Sequence, residues 1–74
     1  MDETRLKERL LAENVEFRKL FEEHQIHEAR LARLSAKPFL TAEEELEKRN
    51  IKKQKLALKD RMYLIMRDAQ KTQS

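Results

Sequence analysis

Large apolar residues recur at steps of three and four along the first half of the chain. Leu6, Leu10, Phe17 and Leu20 lead into His24, His27, Leu31 and Leu34, with Phe21 on the flank. Such spacing is a single stripe on an α-helix, not the alternation of a half-buried strand. It predicts a first helix from about residue 3 to residue 35, with Glu13 as the exception in the register. A second stripe of Ile51, Leu58, Met62, Ile65 and Ala69 predicts a second helix from about residue 42 to residue 69 and a frayed tail over residues 70–74. Lys48 and Lys55 fall on the same side and can lay their aliphatic stems along it.

The pattern breaks once. Ser35-Ala36-Lys37-Pro38-Phe39-Leu40-Thr41 holds the only proline, whose ring pushes Lys37 away from helical backbone angles. Thr41-Ala42-Glu43-Glu44 then reads as a capping box, in which the Thr41 hydroxyl accepts from the Glu44 amide and the Glu44 carboxylate reaches back to the Thr41 amide. Glu43, Glu44 and Glu45 also sit where the positive end of a helix dipole favours acids. A turn over residues 36–41 therefore separates two arms of similar length, which fold back antiparallel. At ~1.5 Å per residue each arm is roughly 40–50 Å long. The expected fold is all-α: one domain over residues 1–74, an antiparallel, coiled-coil-like two-helix hairpin. Its seam is Leu10, Phe17, Leu20, Phe21, His24, Leu31 and Leu34 against Ile51, Leu58, Met62 and Ile65.

Two helices bury one stripe each, and this chain has more apolar surface than that. Met62-Tyr63-Leu64-Ile65-Met66 is apolar through more than a full turn, and Leu46 and Leu56 lie off the main stripe. Leu11, Val15 and Ile26 lie on the back of the first helix. In an antiparallel hairpin Leu10, Leu11 and Val15 come near residues 62–66, so the open end is apolar on several faces. Leu11, Val15, Leu56, Tyr63, Leu64 and Met66 are thus the candidate surface for a second copy, giving a two-fold four-helix bundle dimer, or for a partner protein.

Composition agrees with long helices. Of 74 residues, 42% are charged and 39% hydrophobic, there is no glycine, and the net charge is only +3, too mixed in sign for a disordered polyelectrolyte. At this length a monomeric core is barely sufficient. Cysteine is absent, which excludes disulfides, thiolate metal sites and a thiol nucleophile. No apolar run approaches the ~20 residues that span a bilayer. Met1-Asp2-Glu3-Thr4-Arg5 lacks the basic-then-apolar order of a secretory signal, so the expected compartment is the cytoplasm.

Three blocks carry a family resemblance: Phe17-Arg18-Lys19-Leu20-Phe21-Glu22-Glu23-His24, then Phe39-Leu40-Thr41-Ala42-Glu43-Glu44-Glu45, then Ile51-Lys52-Lys53-Gln54-Lys55-Leu56-Ala57-Leu58-Lys59-Asp60. Together, over about Phe17 to Met66, they resemble the YdcH-like family of small bacterial proteins, a domain of unknown function forming helical hairpins or coiled coils. The resemblance implies a bacterial, cytoplasmic, helical protein with no assigned activity. The chain departs from the family pattern where a leucine follows the histidine at the next seam position. His27 stands there, with Ile26 just before it.

His24 and His27 lie one turn apart, with Glu23 and Glu28 each four residues from one of them. The Glu-x-x-His element of di-iron bundles and the His-Glu-x-x-His of zinc peptidases are both missing, so no metal or other cofactor is expected. A pH-sensitive seam is the sharper reading, since charging two imidazoles near ~6.5 opposes burial between helices.

Charge is uneven. Residues 43–47 hold four glutamates, whereas residues 48–61 hold seven cations against Asp60 alone. Lys48, Arg49, Lys52, Lys53, Lys55 and Lys59 are candidate phosphate contacts in an alternative reading as a small nucleic-acid-binding protein. They spread around the helix, however, with no interleaved aromatic for base stacking. Glu16, Glu22, Glu23 and Glu28 on the facing arm are enough to pair many of them and set the register. Catalysis has little to draw on. The hydroxyls Thr4, Ser35, Thr41, Thr72 and Ser74 lie near the ends or beside the turn, and a thin hairpin encloses no substrate. The expected function is a non-enzymatic interaction or scaffold module that packs against other helices.

Overall fold

A computed structural model describes residues 2–73, with side chains through Lys71. It is all-α: α1 (Glu3–Glu13), α2 (Val15–Ser35) and α3 (Ala42–Gln73), with no strand among the described residues. α2 and α3 run side by side in opposite directions, so that Arg30 meets Glu47 near the turn and Glu16 meets Arg61 at the other end. The molecule measures 49 × 19 × 16 Å, its long axis set by α3, whose 32 residues span ~48 Å at helical rise.

The single first helix expected from the stripe is instead two, and the joint is one residue. Asn14 has extended backbone angles (φ −107°, ψ 109°) and serves both neighbours at once. Its amide donates to the Leu10 carbonyl at 2.8 Å, ending α1. Its side-chain Oδ1 accepts from the Phe17 amide at 2.9 Å, capping α2. A short amide side chain offers the backbone this alternative to continuing the helix. Asp2 caps α1 in the same way, accepting from the Arg5 amide at 2.8 Å.

The break lets α1 pack against both other helices. Leu6 and Leu10 of α1, Phe17 of α2 and Met62 of α3 form one buried cluster, flanked by Leu11, Leu20, Phe21, Ile65, Met66 and Ala69. Leu6 is 1% exposed and Phe17 fully buried. The apolar end that the two-helix reading left open is therefore largely closed from within the chain. Leu34, Ile51 and Leu58 are buried farther along the α2–α3 seam.

At the turn, the Ala36 amide donates to the Ala32 carbonyl at 3.1 Å and the Lys37 amide to the Leu34 carbonyl at 3.3 Å, closing α2 ahead of Pro38. The capping box forms in both directions, each bond 3.1 Å, between Thr41 and Glu44. α3 continues through Gln73, past the residue 69 expected as its end, while Ser74 and the side chain of Thr72 lie outside the described residues.

Candidate interaction surface

The seam residues read from the stripe fall into two groups. Leu10, Phe17, Leu34, Ile51, Leu58 and Met62 are buried, whereas Leu20, Phe21, His24, Leu31 and Ile65 are half-buried. Of the outer apolar set, Leu11 and Met66 pack against the cluster that α1 completes. Val15, Leu56, Tyr63 and Leu64 stay exposed, as do Ile26, Phe39 and Leu46. Leu56 and Tyr63, 62% and 64% exposed, are seven residues apart and so share one face of α3. Leu46 and Leu64 share another, five turns apart.

Where α1 meets α2 and α3, Glu3, Lys7, Phe21, His24, Lys59 and Tyr63 surround a cavity of about 240 Å³. The Lys7 ammonium stands 5.8 Å from the centre of the Phe21 ring, a cation–π contact tying α1 to α2. His24 Nε2 is buried with no hydrogen-bond partner among the described residues. Burial, and then the nearby Lys55, Lys59 and Lys7, hold the His24 imidazole below its usual pKa, against the raising effect of Glu28. His27 lies 3.9 Å from Glu23 on its own helix. No group of three or more metal-ligating side chains comes together among the described residues.

The cations of α3 divide as well. Lys55 pairs with Glu28, whose carboxyl it holds below the usual range, and Arg61 pairs with Glu16 at 2.9 Å. Arg30 grips Glu47 through two bonds, Nε to Oε1 at 2.7 Å and Nη2 to Oε2 at 3.0 Å, lowering the Glu47 pKa and raising its own. Lys37 and the Thr41 amide together hold the Glu44 carboxyl down to about 2. Lys48 is half-buried, and Lys59 borders the α1 cavity. Arg49, Lys52 and Lys53 are exposed and enter no ion pair among the described residues. Glu22, expected to meet one of these cations, is likewise absent from those pairs.

The residue that pattern reading missed is Asn14, together with the role of α1 that follows from it. Its signal was present: Asn is a strong helix-capping type, and Glu13 interrupts the stripe one residue earlier.

The model of a family described as a protein of unknown function, DUF465, matches residues 17–66. The chain belongs to this family, the YdcH-like small domain. No curated protein and no solved structure matches it significantly. No helix among the described residues is long and apolar enough to cross a membrane.

Proposed function

We propose that this member of the family is a non-enzymatic helical interaction module, acting by packing α3 against other helices, in the first place those of a second copy. The observation that carries this reading is the Leu56–Tyr63 face, which stays exposed after α1 has closed over the cluster. The wider surface agrees. The chain exposes 5852 Å², against roughly 4,900 Å² for a compact protein of its 9.0 kDa mass. A four-helix arrangement of two chains, working in a bacterial cytoplasm, belongs to the same proposal. Non-enzymatic action is supported by shape: the cavity under α1, about 240 Å³, is small beside the ~300–1,000 Å³ of small-molecule sites.

Light scattering over a dilution series tests the proposal. The parent should shift from dimer to monomer on dilution, and Leu56→Asp with Tyr63→Ser should remain helical yet monomeric throughout. A parent that is monomeric at every concentration and captures no helical partner refutes it. Arg49, Lys52 and Lys53, exposed and in no ion pair among the described residues, favour a second reading as a nucleic-acid binder. Labelled RNA and DNA titrated at two salt concentrations decide between them, because phosphate contacts weaken steeply with salt and apolar packing does not.

A further inference from the structure

We infer that the groove covered by α1 also receives the α1 of a second copy, with Asn14 as the hinge, so that two chains exchange their first helices. The inference rests on the self-packing reading above and gives it a route.

Three observations converge. α1 is only 11 residues, shorter than the ~12–15 at which an isolated helix becomes even marginally stable, so it holds its shape by docking. It lies outside the matched residues 17–66, is joined by a single residue, and its docking contacts come from side chains that a second chain carries identically: Leu6 and Leu10 in the cluster, Lys7 over Phe21. Finally, the stripe read from the sequence runs through the break, so α1 and α2 are also compatible with one continuous helix. Straightening Asn14 removes its cap on the Phe17 amide. It also offers the amides of Val15, Glu16 and Phe17, which begin α2, the carbonyls of Leu11, Ala12 and Glu13. The straightened α1 extends beyond the end of α2, alongside the part of α3 that follows Arg61, placing residue 3 roughly 20 Å along the axis from the Glu16–Arg61 pair and leaving its own groove open. There it reaches a neighbour's groove, and exchange recreates every docking contact while changing only the hinge. Glu13, brought onto the seam face by straightening, weighs toward the closed chain.

The chain has no cysteine, so introduced ones are unique. Glu3 and Lys59 border the same cavity. Chains spin-labelled only at Glu3→Cys, mixed with chains labelled only at Lys59→Cys, give a short distance when α1 sits on a partner. Chains carrying both labels, diluted with unlabelled parent, lose their internal short distance only on exchange. Asn14→Ala removes the cap and favours the continuous helix, and should move the balance toward the exchanged dimer by about tenfold. Asn14→Gly keeps the break, because glycine caps nearly as well and resists helix, and should give no short mixed-chain distance. The expected result is a doubled mass and the short mixed-chain distance for Asn14→Ala, with full helicity. A helical Asn14→Ala that stays monomeric, or a dimer lacking that distance, overturns the inference. If Asn14→Gly gives the short mixed-chain distance as strongly as Asn14→Ala, Asn14 is not the hinge and the inference is overturned, while the module reading stands.

Discussion

Replacing Leu6 by alanine should release α1 without unfolding α2 and α3. Leu6 is 1% exposed and sits in the cluster with Leu10, Phe17 and Met62. Burial of two leucines gives roughly 3–6 kcal/mol in favour of docking, at ~1.5–3 kcal/mol for each. Ordering a short helix that is unstable alone opposes this, so docking is a net few kcal/mol. Leu→Ala in a packed site costs about 2–5 kcal/mol, enough to bring the docking of α1 close to balance. The α2–α3 seam keeps Leu34, Ile51 and Leu58, and the Arg30–Glu47 and Glu16–Arg61 pairs. The assay is amide hydrogen exchange with circular dichroism at 25 °C. Protection should collapse in residues 3–13 and persist in the seam, with at most about a sixth of the helical signal lost, the share that α1 contributes. Equal loss of protection in all three helices would show that α1 is not a separable unit. Unchanged protection in α1 would show that Leu6 does not hold it.

Other perturbations separate the remaining parts. Leu58→Asp puts a charge into the seam and should cost about 3–5 kcal/mol, lowering both helicity and solution mass. Thr41→Ala removes the acceptor for the Glu44 amide and should lower stability by about 1 kcal/mol in chemical denaturation, leaving α1 untouched. For His24 the folded chain binds a proton less readily than the unfolded chain, whose pKa is near 6.5, so stability should fall as pH drops below about 6.5 and level off beneath the folded value. His24→Leu should flatten that part of the melting-temperature profile; a parent profile already flat from pH 7 to 5 refutes the assignment.

Much of the architecture was readable because burial follows periodicity. Phe17, Leu34, Ile51, Leu58 and Met62 sit at helical spacing, and all are buried. The capping box was readable because it is a local contact, needing only Thr41 and Glu44 at the right interval. The course of α1 was not, because a stripe tells which residues share a face, and not whether the helix continues straight through a capping-type residue. Leu6 and Leu10 lie in register for a straight helix, yet they are buried by folding back. One residue's side-chain bond decides between the two paths. For the same reason Leu11 and Met66, candidates for a surface toward another chain, pack instead against the chain's own buried cluster. The cations of α3 were over-assigned to partners on α2, since ion pairs depend on side-chain reach that spacing does not specify.

The side from which a partner approaches follows from what flanks Met62. Arg61 and Tyr63 lie ~100° to either side of it on α3. The Arg61 side is closed by its bond to Glu16, and nearer the turn Arg30 and Glu47 lock the seam again. The Tyr63 side borders the groove in which α1 lies, and Leu56 continues the same face one heptad earlier. A helix packing on the chain therefore gains apolar contact on the Tyr63 side and meets α1 there, whereas on the Arg61 side it must displace a formed ion pair. Docking of α1 and association of the chain are consequently coupled through neighbouring residues. Leu6→Ala, which frees α1, should change the solution mass as well as the exchange pattern. A variant that loses α1 protection but keeps the parent's dilution curve would uncouple them and move the contact to the Leu46–Leu64 face.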